Sequence, residues 1–494
     1  MMTKRPNIIF IFSDQHAQRI AGCYGNKIAS TPNIDRIAAN GLTFDNAYTP
    51  SPLCVPARMA LLTGKLPSSQ VCLSNSDILH SDIPTYPQAL SASGYETVCI
   101  GRLHSLGPDQ LRGFQKRLIG DAQGNWLGGN VMDLGEFHIA NQVNRESIEV
   151  SGAGINAFDE LDWAVTDAAV DYLKHWADEG DNRRPFFMSV GYISPHNPYV
   201  TSPEYFNRYK GKVDKPEIRV PYQNEHDYIA WWRKHCNIED ISDADIARAR
   251  TAYFAMVTQM DDMIGRILDT LVETGLDENV MVIYSSDHGE QLGDRGLWFK
   301  QTLYDQSAKV PLLMSLPGIF PKGERRSQVV NLIDLVPTIL EVAGANQLPS
   351  CDGVSFLNVA RDGGSSWANA TFSEYYSDGL SPWAGTEKQA HRMLRFGNWK
   401  YNYFHGYADQ LFDLDSDPHE LRDLINEPDY QAIAMQLRKM CLAGWDPDRL
   451  IAHMKRTAND KRSLINWSQS THPADVFRFP LRTEINRLLP PDLE

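Results

Sequence analysis

The chain has no cysteine pair spaced C-x-x-C. Its seven cysteines, Cys23, Cys54, Cys72, Cys99, Cys236, Cys351 and Cys441, are scattered over 494 residues. Neither a zinc ribbon nor a thioredoxin-type motif is indicated, and an odd, dispersed set argues against a disulfide framework. Positive charge is also in deficit: 47 Lys and Arg stand against 62 Asp and Glu, for a formal net charge of -15. Non-specific nucleic-acid binding needs clustered Lys and Arg, so nucleic acid is not an expected partner. An anionic small substrate remains open, because a site needs only a local positive patch. No apolar run approaches the roughly 20 residues of a membrane helix. The opening run Ile8 to Phe12 is too short for a signal-peptide core. The expectation is a cytoplasmic protein without membrane contact. Internal repeats and low-complexity tracts are missing too, which removes solenoids and fibrous classes.

What is there is ordinary globular composition, 42% apolar and 22% charged, in a chain long enough for one large domain and a smaller one. Asn7 to Ser13 reads as a buried strand. A helix follows, with Thr31 as N-cap and Pro32 at its first position. Glu96 to Ile100, Phe186 to Tyr192, Val280 to Ser285 and Val310 to Ser315 are further strand candidates. From Asp243 to about Thr274, Met256, Met260, Ile264, Ile267 and Leu271 recur at helical spacing, and Gly275 supplies a stop. Strands alternating with helices predict an α/β domain with a large, mostly parallel sheet flanked by helices. After about residue 367 the texture changes. Thr371 to Tyr376, Arg392 to Phe396, Trp399 to Tyr403 and Gln410 to Leu414 read as short strands, followed by a helix from Tyr430 to Trp445. These predict a catalytic domain over 1–367 and a smaller C-terminal antiparallel sheet with a helix over 368–494.

In open α/β sheets, ligands bind beyond the carboxyl ends of the strands. Asp14 and Gln15 follow the first strand, Arg102 and His104 the second, Ser194-Pro195-His196 the third, and Asp287, His288, Gly289 and Glu290 the fourth. One polar residue after a strand is ordinarily just a loop residue, but four such ends carrying metal-binding, acid–base or anion-binding groups point to one site. Asp14, Asp287 and His288 suit a divalent ion, with the Gln15 carbonyl oxygen a weaker candidate. Oxygen-dominated ligands favour Ca²⁺, Mg²⁺ or Mn²⁺ over zinc. Cys54 precedes a helix expected to begin around Pro56. The helix dipole and Arg58 should lower its pKa and activate it. The alternative is an inert buried cysteine.

The segment Cys54-Val55-Pro56-Ala57-Arg58 resembles the C-x-P-x-R signature of type I sulfatases, of the alkaline phosphatase superfamily. RPNIIFIFSDQH, TPNIDRIAANGLTFDNAY, GYETVCIGRLHSLG, PHNPYV and SSDHGEQLGDRGLWFKQTLYDQSAKVPLLM resemble that family's blocks in order over about residues 5–315, and QLFDLDSDPHELRDL its C-terminal segment. The resemblance implies that a formylglycine-generating enzyme oxidises Cys54 to formylglycine during maturation. It implies one divalent metal, Ca²⁺ first and Mn²⁺ or Mg²⁺ next, held by Asp14, Asp287 and His288, with Gln15 and the residue derived from Cys54 as further ligands. Formylglycine hydrates, and a metal-activated hydroxyl attacks sulfur and expels the alcohol. Arg58 then holds the diol, Arg102 and Lys300 bind sulfate oxygens, His196 protonates the leaving group, and His104 deprotonates the second hydroxyl to release sulfate. Two departures stand out. The family's usual Lys is replaced by Arg102, and a second carboxylate by Gln15. Asp-Gln with Asp-His is similar to choline sulfatases and phosphonate monoester hydrolases, and SDIPTYPQAL with GRLHSLGPDQLRGF looks like the former. That likeness makes Asn75 a candidate substrate contact. Choline needs an aromatic or acidic cage, for which Trp231, Trp232 and Trp298 are candidate rings. The expected partner is a small-molecule sulfate ester of choline, an aryl alcohol or a sugar. A phosphonate or phosphodiester hydrolase and a catalytically dead binding protein are the alternatives, and homo-oligomerisation is left open.

Overall fold

The computed structural model describes residues 5–129, 134–180, 183–220, 225–364, 366–380, 385 and 387–489. The first apolar run forms β1 (Asn7–Ser13), buried throughout. It lies between two parallel neighbours, Ile8 pairing with Phe187 on one side and Met281 on the other. A strand covered on both faces must be apolar on both, which explains the unbroken run. The remaining strands of this region are β2 (Leu42–Tyr48), β3 (Glu96–Gly101), β4 (Lys116–Ile119), β5 (Gly152–Ile155), β6 (Phe186–Gly191), β7 (Val200–Thr201), β8 (Val280–Ser286), β9 (Leu312–Ser315) and β10 (Glu324–Asn331). The main sheet has eight strands in the order β10-β2-β9-β8-β1-β6-β3-β4. Within it β9 alone runs against its neighbours. The reading of an α/β fold with a mostly parallel sheet holds.

β9 starts at Leu312 rather than Val310 because Pro311 has no N–H for the ladder. β2, β4 and β10 were not expected as strands. β10 and β4 are edge strands whose polar residues blur the apolar pattern.

The helices cover both faces. Those introduced here are α1 (Pro32–Ala39), α2 (Cys54–Thr63), α3 (Ala157–Asp178) and α4 (Asp243–Glu273). Leu161 and Val165 of α3 and Met260 and Ile264 of α4 pack with Ile9 and Ile11 in one core layer. Phe10, Phe12 and Ile283 face the other layer with Met59 and Leu62 of α2. α4 ends where expected, at Thr274 and a left-handed Gly275. Thr31 is the N-cap of α1 but makes no side-chain cap bond. Instead the Asn33 and Ile34 N–H groups donate to the buried carboxylate of Asp261 on α4, at 3.0 and 2.7 Å.

Downstream, β11 (Ala370–Ser377), β12 (Gln389–Phe396), β13 (Trp399–Phe404) and β14 (Gln410–Asp413) form an antiparallel four-stranded sheet. α5 (Gln431–Leu442) packs Leu437 and Cys441 on Leu394 and Leu411. A second helix, α6 (Pro447–Thr471), follows. The tail then returns to the large sheet. The Phe479 N–H donates to the Asp121 carbonyl at 2.8 Å, and β15 (Arg487–Leu488) pairs with β5 in a three-stranded sheet with β7. No helix among the described residues is long and apolar enough to cross a membrane.

Candidate active site

The carboxyl ends of β1 and β8 lie side by side, Ser13 in register with Ser286. This brings Asp14 beside Asp287 and His288, all fully buried. α2 begins at Cys54, not near Pro56, with Leu53 as its N-cap. Pro56 fits because an N–H in the first turn has no intrahelical partner. One ligand atom from each of Asp14, Cys54, Asp287 and His288 lies within 4.8 Å of the others. Cys54 Sγ is 3.1 Å from His288 Nε2 and 3.9 Å from Asp14 Oδ1.

Arg58 sits one turn further along α2 and is buried. Its Nε donates to Asp287 Oδ2 at 2.9 Å and its Nη2 to Asp14 Oδ2 at 3.2 Å. Arg102 donates through Nε to Asp14 Oδ2 at 2.5 Å, through Nη1 to Asp121 Oδ1 at 3.4 Å, and through Nη2 to His104 Nδ1 at 3.0 Å. A guanidinium only donates, so Nδ1 accepts and the neutral His104 ring carries its hydrogen on Nε2. His104 has a left-handed backbone, φ 52, and its N–H donates to Asp121 Oδ2 at 2.8 Å. Burial, reinforced by Arg102, holds its pKa well below the usual histidine range.

The expected fall in the Cys54 pKa is overturned. Burial, with Asp14 and Asp287 alongside, pushes the thiol up to about 12. The helix end is real, but Arg58 faces the two carboxylates rather than the sulfur. Loss of water is the largest cause; Asp14 and Asp287 add to it, and Lys300 and Arg102 oppose it.

Lys300 reaches the site from the loop after β8. Its Nζ donates to Gln15 Oε1 and lies 2.9 Å from His196 Nε2. His196 Nδ1 donates to the Asn197 carbonyl at 2.6 Å, so Nε2 is the acceptor from Lys300. Burial and the Lys300 charge hold His196 well below the usual range. Gln15 Nε2 in turn donates to Glu290 Oε2 at 2.5 Å, and Tyr199 Oη donates to the same oxygen at 3.0 Å. Asn75 is half-buried, and its Oδ1 accepts the Val55 N–H at 3.0 Å. Trp232 and Trp298 are fully buried in the core, and Trp231 stacks on His235 at 4.9 Å. Among the described residues these rings do not enclose a cation site.

Glu290 was named after the fourth strand but given no role, and Asp121 was not named at all. Glu290 carried a signal: a carboxylate in the loop that already supplied Asp287 and His288. Asp121 carried none, because β4 before it was not legible as a strand.

The donor set fits a cation. Among the described residues no N–H or O–H group donates to Asp14 Oδ1. His288 Nδ1 donates to the Gly289 carbonyl at 3.0 Å, which leaves the Nε2 lone pair turned inward. That lone pair is 3.7 Å from Asp14 Oδ1 and 3.6 Å from Asp287 Oδ1. Asp287 Oδ1 already accepts the Gln15 and His288 N–H groups, and the Cys54 thiol lies against Nε2 and Asp14 Oδ1, so once that thiol proton is gone a positive ion would satisfy the inward-facing acceptors.

A mostly parallel sheet that brings two carboxylates, a histidine and a helix-starting cysteine together at its carboxyl edge, with two arginines alongside, forms a candidate metal centre suited to an anionic ester. The chain belongs to the sulfatase family, of the alkaline phosphatase superfamily, and is a hydrolase of sulfate esters: residues 6–345 match the family model described as sulfatase, and residues 293–443 the one described as N-sulphoglucosamine sulphohydrolase, C-terminal. It is 32% identical to a choline-sulfatase of Rhizobium meliloti (strain 1021), over 92% of this chain and 90% of that protein. It is 28% identical to an arylsulfatase of Clostridium perfringens (strain 13 / Type A), over 89% and 94%. A solved phosphonate monoester hydrolase from Silicibacter pomeroyi shares the fold, with TM-score 0.75 and 23% identity over 89% of this chain and 95% of that one.

Proposed function

We propose that the protein hydrolyses a small-molecule sulfate monoester, of choline, an aryl alcohol or a sugar, to the alcohol and inorganic sulfate. The observation that carries this reading is the placement of Cys54 Sγ within one ligand set with Asp14, Asp287 and His288. Conversion of Cys54 to formylglycine supplies the nucleophile. A bound divalent ion, Ca²⁺ first among the choices for an oxygen-rich set, supplies Lewis acidity that lowers the pKa of a hydroxyl there.

The protein's own groups do the rest. Asp14, Asp287 and His288 hold the ion, and Gln15 joins them if its Oε1 turns from Lys300. Arg58 offsets the charge of both carboxylates and keeps them parallel. Arg102 and Lys300 present N–H donors to the sulfate oxygens, in a site dry enough for those charges to act strongly. Asn75, oriented by the Val55 N–H on its Oδ1, has its Nδ2 donors left for the substrate. His196 accepts from the Lys300 ammonium, so the pair can deliver a proton to the departing alcohol. His104 can take a proton only at Nδ1, which Arg102 Nη2 covers. Sulfate oxygens that draw this N–H away free the ring to act as a base.

The test joins three measurements on protein from its native host: the mass of the peptide containing Cys54, the metal content, and kcat/KM for sulfate monoesters beside phosphate diesters. A formylglycine mass, one divalent ion per chain and faster sulfate turnover support the reading. A phosphate diester turned over faster would reassign the substrate class on the same machinery.

A further inference from the structure

The loop bearing Asn75 rests on a helix from the far end of the chain. Leu73 is buried against Leu450 and Met454 of α6. Two residues beyond Asn75, the Asp77 carboxylate lies 2.6 Å from Lys461 Nζ, also on α6. The same ammonium is 2.8 Å from Asp378, just after β11. Ser74 Oγ lies 3.0 Å from Asp77 Oδ2 and 2.8 Å from Asp378 Oδ2. The Leu73 and Ser74 N–H groups donate to Asp77 Oδ2 at 2.9 and 2.8 Å. Lys461 and Asp77 are each 8% exposed and Asp378 1%.

A buried ion cluster is not retained for stability alone, because well-packed apolar residues usually serve as well or better. What this one adds is a defined geometry: one ammonium, alongside the Ser74–Asp378 hydrogen bond, ties together two loops some three hundred residues apart in sequence. On its other side the 73–77 loop touches the reaction centre, since Asn75 Oδ1 accepts the N–H of Val55, the residue after the nucleophile. The path from Lys461 to the edge of the site runs through Asp77, the loop and Asn75.

We infer that Lys461 is a positioning residue: α6 buttresses the substrate loop, and the Lys461–Asp77–Asp378 clamp sets where Asn75 meets the substrate. The inference rests on the sulfate-ester reading above. α2 is separately held by Arg58, so the clamp governs substrate binding and not the nucleophile.

Lys461→Met removes the ammonium and keeps the stem. In steady-state assays with an aryl sulfate, on protein whose Cys54 conversion is verified by mass, KM is expected to rise about tenfold while kcat stays within about threefold. Lys461→Arg, which can span both carboxylates, restores KM. Hydrogen exchange becomes faster in the 72–80 peptide and not in the β1 or β8 peptides. If Lys461→Met does not accumulate as folded protein, Asp77→Asn gives the same split, since it cuts the loop's share of the clamp and leaves Lys461 on Asp378. Unchanged KM with unchanged exchange at 72–80 overturns the inference. So does a parallel loss of kcat with faster exchange in β1, which marks general loosening. Wild-type protein with converted Cys54 and no sulfate turnover would count against the function, while the exchange measurement still decides the clamp.

Discussion

Replacing Arg102 by Lys restores the residue that this family usually carries, yet it should impair this protein. The guanidinium meets three groups at once: Asp14 at 2.5 Å, His104 Nδ1 at 3.0 Å and Asp121 at 3.4 Å. A lysine ammonium is a point charge on a flexible stem and can keep the Asp14 pair, but it has no planar fork with which to hold the other two. The 3.4 Å contact is near the limit of a hydrogen bond and acts chiefly through charge between two buried groups. The bond to His104 is charge-assisted, of the kind worth about 1.5–3 kcal/mol. That bond is given up when sulfate binds, so its energy is not lost from the transition state; what Lys lacks is the second donor to sulfate and the fixed His104 orientation, and the expected fall in kcat/KM is about tenfold or more. The assay is turnover of a sulfate monoester by protein with equal Cys54 conversion. Asp121→Asn supplies the other edge of a double-mutant cycle. In the wild-type background it loosens both the guanidinium and the His104 backbone, and in the Arg102→Lys background only the backbone remains to lose. Coupling above about 0.5 kcal/mol is therefore expected. The reasoning would be refuted by Arg102→Lys retaining kcat/KM within about twofold of wild type, or by losses that add within error.

Further outcomes are expected. Cys54→Ala, purified free of host enzyme, should have no measurable turnover, because the nucleophile is gone; wild-type rates in that variant would end the mechanism. Chelation should abolish activity and lower the melting temperature, with Ca²⁺ restoring both, since a ligand at a hundred times its Kd stabilises the native state by about 2.7 kcal/mol; full activity at metal contents near zero contradicts this. His196→Ala should slow esters of poorly leaving alcohols more than those of nitrophenols, because proton delivery matters most where the alkoxide is least stable; equal losses across a leaving-group series would remove His196 and Lys300 from that role.

Much of this was legible in the residues alone. A strand buried on both faces must be apolar throughout, so β1, β3, β6 and β8 announced themselves, and each was followed within a few residues by a group that lies in the candidate site. Those residues are covalent neighbours of the strand ends, so knowing the strand locates the group. The α4 stripe was readable for the same reason: a helical period is a local property. The rest was set by contacts between distant segments. Asp261 caps α1 from 228 positions away, which no local pattern encodes. Asp121 holds Arg102 and His104 only because the short β4 pairs beside β3. Lys461 meets Asp77 because α6, invisible as a site element in sequence, folds back under the loop bearing Asn75. The Cys54 thiol shows the limit most directly. Its sequence neighbours, a helix start and an arginine, argue for a lowered pKa. Through-space burial beside two carboxylates raises it instead, because solvation and charge are summed over everything nearby, and what is nearby is decided by the tertiary fold.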